Sequence, residues 1–283
     1  MRWVLGILIV ILPLLIYAND PLIAASNALK SADYQKAKTI LKQAAHRGNL
    51  RAQLALAKLY LSGAGTKPSY PKAFYWYKKA SQKNAGAAYR VAQMYENGIG
   101  IEKNSTAALQ WYTKASKMGS AEACSELGGH YYGGKGVPQN RKKAAILYQK
   151  AAQKGYIPAI YNLGHLYEKG EGVDQNTTKA LEYYLQAAKQ GYTDAQYNIA
   201  TFYYTGKGTV KNLQKAIYWY TQAAMQGDPQ ALYNLGLIYY QGQGVPKNKI
   251  TAFEYWLKAA KHSHLKAQDA LDKLCKESPW ACR

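Results

Sequence analysis

The sequence predicts an all-α fold built from repeated helix-turn-helix units, and three observations support this prediction. Glycine pairs separated by one residue recur along the chain. The pairs are Gly63/Gly65, Gly98/Gly100, Gly134/Gly136, Gly170/Gly172, Gly206/Gly208 and Gly242/Gly244. Two segments with helical apolar spacing accompany each pair, and a capping Asp, Ser or Asn recurs in the same register. A fixed period of about 20–50 residues is the signature of stacked repeats.

Residues 1–18 form the first element and read as a targeting segment. Arg2 precedes an apolar stretch that runs from Trp3 to Tyr17. This stretch is shorter than the ~20 residues of a membrane-spanning helix, and it fits a signal peptide cleaved after Ala18 or around Ala24-Ala25. We therefore expect export to the periplasm, the cell surface or the medium. An uncleaved inner-membrane anchor is the alternative, and it would be the chain's only membrane contact.

Residues 20–48 come next and match a degenerate leading repeat. The segment from Leu22 to Lys30 supplies its first helix, which we term helix A in every unit. The segment from Asp33 to Gly48 supplies its second helix, helix B, because Ala37, Leu41 and Ala44 share one helical face.

Six full units follow over residues 49–263. Their bounds are 49–84, 85–119, 120–155, 156–191, 192–227 and 228–263. In the unit 192–227, helix A is predicted from Asp194 to Thr205 and ends at Gly206, because glycine accepts the left-handed conformation that terminates helices. Helix B is predicted to open at Asn212 and close at Gly227.

Each helix B begins at a residue type that caps helix N-termini. These residues are Asp33, Ser69, Asn104, Asn140, Asn176, Asn212 and Asn248. A capping side chain bonds a free N–H group of the first turn and stabilises the helix by about 1 kcal/mol. Capping explains the glycosylation sequons at Asn104 and Asn176 better than glycosylation does, because Asn140 and Asn212 occupy the same position without a sequon.

The middle of helix A always carries a small residue, and the middle of helix B carries aromatic pairs. The small residues are Ala57, Ala92, Gly128, Gly164, Ala200 and Gly236. Glycine inside a helix costs up to ~1 kcal/mol relative to alanine, so we expect the backbone of a neighbouring helix to approach closely there. The aromatic pairs, such as Trp219-Tyr220, are predicted to wedge between adjacent units.

Residues 264–283 form the last element, a capping helix from His264 to Lys276 with a tail. Cys275 and Cys282 are predicted to form a disulfide that closes this tail, as is common in exported chains. Cys124 is predicted to be a free, packed thiol. The spacing of His262, His264 and these cysteines fits no standard zinc pattern, so we predict no metal and no cofactor.

Two segments carry a resemblance to a known family. The string ALYNLGLIYYQGQGVPKN at 231–248, continuing to Ala252 and Tyr255-Trp256, resembles the Sel1-like repeat, as does AIYNLGHLYEKGEGV at 159–173. The resemblance covers residues 49–263. It implies a right-handed α/α superhelical solenoid of the tetratricopeptide type, with helix A lining the concave side. It also implies an adaptor for protein complexes, with exported bacterial members linked to host-cell interaction, envelope maintenance and signalling.

One cysteine-rich subfamily of these proteins is associated with penicillin binding and β-lactam hydrolysis. Its members carry a cysteine pair in nearly every repeat, whereas this chain has three cysteines in total. A β-lactamase-like hydrolase is therefore the least favoured function, and we predict that the chain has no catalytic residues.

Candidate binding residues recur on helix A, one turn before or close to the small residue. They are Tyr89, Arg90, Gln93, Tyr161, Asn162, His165, Tyr197, Asn198, Thr201, Tyr233 and Asn234. Stacked units would turn them into a ladder of hydroxyls and amides that grips an extended peptide. Alternatively, these consensus residues bond neighbouring helices. Units that depart from the consensus, with Ala55 and Lys58 or with Glu126 and His130, would then tune specificity.

The formal net charge of +21 bears on the partner. Such a charge favours an acidic partner, although lysines spread over every repeat also fit a solvated outer face. We predict an exported, monomeric, non-catalytic scaffold that binds an acidic protein or peptide. A peptidoglycan-binding protein or a regulator of an envelope enzyme is the alternative. Export argues against nucleic acid as the partner.

Overall fold

The computed structural model describes residues 20–65 and 67–279, and these residues form helices without strands. The predicted signal segment and Cys282 lie outside the described residues. Fifteen helices occur in the described part of the chain: α1 (Pro21–Lys30), α2 (Tyr34–His46), α3 (Leu50–Ser62), α4 (Tyr70–Ala80), α5 (Ala85–Asn97), α6 (Ser105–Lys117), α7 (Ala121–Gly133), α8 (Arg141–Ala152), α9 (Ile157–Lys169), α10 (Thr177–Lys189), α11 (Thr193–Thr205), α12 (Leu213–Met225), α13 (Pro229–Gln241), α14 (Lys249–Lys261) and α15 (Leu265–Glu277).

The helices belong to two compact units. Unit 1 contains the described residues of Met1–His130 and Lys135–Pro138, and unit 2 contains those of Tyr131–Gly134 and Gln139–Arg283. Within each unit, consecutive helices pack as hairpins, so the all-α repeat fold predicted from the sequence is confirmed. Over the residues that the structure describes, no helix combines the length and the apolar character needed to cross a bilayer.

One hairpin geometry recurs, and the repeat 192–227 illustrates it. Helix α11 ends at Gly206, whose φ of 81° is left-handed. The backbone N–H of Asn212 then donates to the carbonyl of Tyr203 at 2.8 Å. The Asn212 side chain accepts from the N–H of Lys215 at 2.9 Å and opens α12. The turn is therefore tied to both helices.

The capping prediction is confirmed at six of its seven positions. The capping side chains that accept from a first-turn N–H are Asp33, Asn104, Asn140, Asn176, Asn212 and Asn248. At Ser69 the prediction is wrong, because that side chain makes no capping bond. Pro71, the second residue of α4, has no N–H, and the Ser69 side chain also accepts nothing from the N–H of Lys72, the third residue, which is the position that the other helix B caps bond.

The second glycine of each pair has a role beyond ending a helix. At Gly208, an added Cβ would lie 2.9 Å from the carbonyl oxygen of Thr177, at the start of the preceding repeat's helix B. The equivalent Gly244 would bring a Cβ to 2.8 Å from Cβ of Leu213. The glycine pairs therefore let each turn press against the repeat before it.

Two glycines in the middle of helix A, Gly164 and Gly236, face an aromatic ring and not a neighbouring helix backbone, so the reason given for them from the sequence is wrong. A Cβ added to Gly164 would lie 2.8 Å from the ring of Tyr184, and one added to Gly236 would collide with the indole of Trp256. Each ring comes from helix B of the same repeat. Tyr184 is buried and also packs edge-on against Phe202 of the next repeat, with ring centroids 5.6 Å apart. It therefore wedges between adjacent repeats, as predicted.

Candidate peptide-binding face

The predicted binding residues of unit 2 lie on three A helices, α9, α11 and α13. They are Tyr161, Asn162, His165, Tyr197, Asn198, Thr201, Tyr233 and Asn234, and we call this set the helix A row. Residues three or four apart share a helix face, so His165 groups with the other members on α9, and Thr201 groups with those on α11. On α13 the two members are adjacent residues. All eight are partly exposed. Three successive repeats therefore present equivalent hydroxyl and amide groups.

Several members of the row bond to neighbouring helices. Asn198 Nδ2 donates to the Tyr161 hydroxyl of the preceding repeat at 3.4 Å. The Thr201 Oγ1 lies 3.0 Å from the Tyr220 hydroxyl on α12. Asn198 and Thr201 therefore do bond neighbouring helices, which was the alternative left open by the sequence. Because the asparagines of the row are partly exposed, their amides can still form further hydrogen bonds.

Two tyrosine hydroxyls along this face, those of Tyr161 and Tyr220, have raised pKa values. Burial raises the pKa of Tyr220 to about 12, against the lowering effect of hydrogen bonds with Thr201 and Asn234. Burial also raises the pKa of Tyr161, with a further contribution from the charge of Asp194. Both hydroxyls therefore stay protonated at pH 7 and can donate hydrogen bonds.

In unit 1 the predicted residues form a chain of hydrogen bonds on α5. Arg90 Nη1 donates to Gln93 Oε1 at 2.8 Å, and Gln93 Nε2 donates to the buried Tyr89 hydroxyl at 2.9 Å. The Tyr89 hydroxyl donates to Glu126 Oε1 on α7 at 3.4 Å. The Arg90 side chain stays exposed, so this face of unit 1 presents a positive charge.

His130 and Glu126, which depart from the repeat consensus, lie in a polar cluster with Glu96. His130 Nε2 is 3.4 Å from Glu96 Oε1, and its Nδ1 is 2.8 Å from the Lys135 carbonyl. Both neighbours are hydrogen-bond acceptors. Burial and the charge of Glu96 raise the pKa of Glu126, against the lowering effect of His130 and Tyr89. His130 is partly buried.

The residue between the two glycines of each pair was missed by sequence reasoning. Lys207 Nζ donates to Glu168 Oε1 of the preceding repeat at 2.7 Å. The Tyr132 hydroxyl likewise donates to Glu171 Oε2 at 2.6 Å, and the Tyr204 hydroxyl bonds Gln243. Each pair is separated by 39 residues. The sequence signal for these contacts is the recurrence of hydrogen-bonding partners 39 residues apart.

Lysines at the start of helix B pack over tyrosines of helix A. The Nζ atoms of Lys143, Lys179 and Lys215 lie 4.0, 5.3 and 5.1 Å from the ring centroids of tyrosines in the same repeats. Such cation–π contacts contribute about 0.5–1 kcal/mol at exposed sites. Some of the lysines therefore stabilise the helix hairpins in addition to being solvated.

The remaining candidate sites have structural explanations or stay predictions. Cys124 is a buried free thiol, as predicted, with its Sγ 3.0 Å from Ser116 Oγ. The disulfide between Cys275 and Cys282 stays a prediction, because Cys282 lies outside the described residues. His264 caps α15 by accepting from the Ala267 N–H at 3.1 Å. No group of three or more metal-ligating side chains occurs within residues 20–65 and 67–279.

Sequence comparison identifies seven Sel1 repeats. They match residues 28–49, 50–84, 85–120, 121–156, 157–192, 193–228 and 229–264. No curated protein sequence matches the chain.

Two crystal structures resemble the described fold. A Sel1 repeat protein from Oxalobacter formigenes is 31% identical, with a TM-score of 0.74 over 85% of this chain and 96% of its own. A protective antigen present in uropathogenic Escherichia coli strains, with an SLR fold, is 29% identical, with a TM-score of 0.81 over 86% of this chain. The match spans 52% of that antigen, about half its length.

Proposed function

The chain belongs to the Sel1 repeat family, and from that premise we propose that it is a non-catalytic scaffold that binds a peptide segment along the helix A row. The Sel1 repeat fold is commonly a protein–protein interaction scaffold, and proteins of this family are generally non-catalytic. A fold can host many activities, so the function of this chain depends on its own exposed groups.

The observation that carries the proposal is the recurrence of partly exposed amides and hydroxyls on successive A helices. Asn162, Asn198 and Asn234 occupy equivalent positions, and each amide can make more hydrogen bonds than the row itself uses. Packed helices lie about 8–10 Å apart, and an extended chain advances about 3.3 Å per residue. An extended peptide would therefore meet one amide about every third residue.

Charge favours an acidic segment as the partner. The formal net charge is +21, and the exposed Arg90 lies on the equivalent face of unit 1. A positive protein accelerates the association of acidic partners and loses this advantage as salt increases. The partner is therefore expected to bind more weakly at high salt.

Export is part of the proposal. The apolar stretch from Trp3 to Tyr17 supports it, and so does the likeness to a protein described as a protective antigen. Intact-mass measurement of the chain isolated from bacterial envelopes tests this directly. Loss of residues 1–18 supports export by cleavage, and a full-length chain recovered from the cytoplasm contradicts it.

The binding face is tested with two variants that change the net charge equally. Asn162→Glu with His165→Glu places negative charge on the row, and Gln186→Glu with Gln190→Glu places the same charge on exposed positions at the C-terminal end of α10. We expect the first variant to capture partner proteins from envelope extract at least about tenfold less well than wild type. The second variant should capture them normally. Equal capture by all three proteins would overturn the proposal.

The peptidoglycan alternative is separated by sedimentation with purified sacculi. A peptide-binding scaffold should stay in the supernatant or be released by salt, because only charge attracts it to the cell wall. Pelleting that persists at high salt would favour glycan binding over the peptide scaffold.

A further inference from the structure

A cavity of about 360 Å³ lies in unit 2 between α13 and α15. Its walls include Tyr233, Leu237 and Trp256 from the last full repeat, and Lys266, Ala270 and Lys273 from the capping helix. Ligand pockets in proteins typically start at about 300 Å³ and are mostly apolar with a few polar groups. The cavity meets both conditions.

The cavity follows from a departure of the last helix from the repeat. Helices α11 and α13 carry Tyr-Asn at 197–198 and 233–234, whereas α15 carries Asp269-Ala270 at the equivalent position. Asn234 reaches the Tyr220 hydroxyl of the preceding repeat. The methyl group of Ala270 has no comparable reach. Within the described residues, the space beside Tyr233 therefore stays open.

The walls of the cavity are held in place. Trp256 Nε1 donates to the Tyr233 carbonyl at 3.1 Å. The Tyr233 ring stacks on His264 with centroids 4.6 Å apart. Because His264 Nδ1 accepts the Ala267 N–H, its Nε2 carries the proton and donates to Gln230 Oε1 at 3.0 Å. Such preorganisation lowers the entropy cost of binding.

The charges at the cavity indicate which segment would occupy it. Lys266 and Lys273 lie on the lining with a single acid, Asp269. Lys273 pairs with Glu277 at 3.9 Å while its side chain is 74% exposed, and so exposed an ion pair is readily exchanged. The two ammonium groups can therefore meet a carboxylate of a partner.

We propose that this cavity anchors a large apolar side chain, such as Phe, Trp or Leu, from an acidic peptide whose adjacent carboxylate contacts Lys266 and Lys273. The proposal rests on the proposed function and specifies the segment that is bound. Aromatic and aliphatic walls favour an apolar side chain, and pocket-filling aromatic anchors commonly dominate peptide affinity.

The test uses two fluorescein-labelled peptides, Gly-Ser-Glu-Phe-Glu-Ser-Gly and the same peptide with Ala in place of Phe. Anisotropy should show that wild type binds the Phe peptide at least about tenfold more tightly, since losing a buried aromatic contact costs at least about 1.4 kcal/mol. Ala270→Asn, which restores the residue of the other repeats, should abolish the difference. Equal binding of both peptides to wild type would overturn the proposal.

Charge and folding are controlled separately. Lys266→Gln with Lys273→Gln should weaken the Phe peptide, while Lys276→Gln, an exposed lysine of the same helix outside the cavity, should not. Leu237→Gln serves as a second cavity variant if Ala270→Asn melts early. Undiminished binding of the Phe peptide to either folded cavity variant would also contradict the proposal.

Failure of the anchor-site proposal can be distinguished from failure of the scaffold proposal. If Asn162→Glu with His165→Glu loses envelope partners while Ala270→Asn retains them, the scaffold stands and the anchor site is wrong. If neither change affects capture, the scaffold proposal itself is wrong.

Discussion

Single residues in this chain are fixed by the aromatic ring that packs on helix A. Gly236 contacts the indole of Trp256, whereas the equivalent pair in the preceding repeat is Ala200 with Tyr220. A methyl group added at Gly236 would collide with the Trp256 indole, which occupies more space than the phenol ring of Tyr220. The low helix propensity of glycine is offset by the buried indole.

Gly236→Ala is therefore expected to destabilise the protein by about 1–3 kcal/mol, the usual cost of overpacking. The substitution improves helix propensity by up to ~1 kcal/mol, so a purely local effect would have the opposite sign. Urea unfolding followed by circular dichroism measures the difference.

The pair Ala200 and Tyr220 supplies the control for this prediction. Adding Trp256→Tyr to Gly236→Ala recreates that pair and should recover part of the lost stability, so the double variant should be less destabilised than the sum of the singles. If Gly236→Ala is as stable as wild type, the ring does not set the residue at this position.

The sequence predicted the small residue at this position but not its cause. Periodicity shows which positions are small, while the ring that fills the space comes from a residue 20 positions away on another helix. The same limit applies to Asn198 and Thr201, whose residue types suggested binding and whose bonds to Tyr161 and Tyr220 depend on packing.

At the scale of elements, neighbouring repeats are joined by the residue between the glycines. Glu168 on α9 accepts from Lys207 at 2.7 Å and from the Tyr184 hydroxyl at 2.7 Å. Burial raises the pKa of Glu168, but the hydrogen bonds from Lys207 and Tyr184 and the lysine charge lower it more, so its pKa lies below the ordinary value.

This pKa shift fixes the sign of the pH dependence. Glu168 ionises more readily in the folded protein, so it contributes stability above its unfolded pKa of about 4.3, and this contribution is lost as pH falls through the folded pKa. Lys207→Met should therefore cost about 1 kcal/mol at pH 7, a small value because the lysine is 43% exposed. The cost should shrink once Glu168 is protonated.

Urea unfolding of wild type and Lys207→Met at pH 7 and at about pH 3 tests this prediction. Lys211→Met is the matched control, because Lys211 lies in the same turn and contacts only the face of Tyr204 among the interactions described for it. A Lys207→Met cost that is the same at both pH values would show that the ion pair does not contribute.

Element bounds were predicted to within about two residues because caps and glycines act locally. Helix α11 was predicted to run from Asp194 to Thr205, and in the structure it runs from Thr193 to Thr205. The pairing of Lys207 with Glu168 was not predicted, because it joins two repeats and no single unit contains both partners. Its detection requires comparing positions 39 residues apart.

At the scale of the whole molecule, positive charge exceeds what nearby carboxylates neutralise. The chain has 37 Lys and Arg residues against 16 Asp and Glu. Within the described ranges, four ion pairs occur, and one of them involves a histidine. A large net charge destabilises a folded chain through self-repulsion.

Salt is therefore expected to stabilise this protein, in contrast to proteins held by surface ion pairs. Raising NaCl from about 20 mM to about 300 mM shortens the screening distance below 10 Å, so the urea midpoint should rise. A variant with Lys78, Lys79, Lys142 and Lys150 changed to Gln, all exposed, has less repulsion to screen and should show a smaller rise. A midpoint that falls with salt would mean that local pairs such as Lys207 with Glu168 outweigh the repulsion.

The same screening should weaken the binding of an acidic partner. The stability of the protein and its affinity for the partner should therefore change in opposite directions over one salt series.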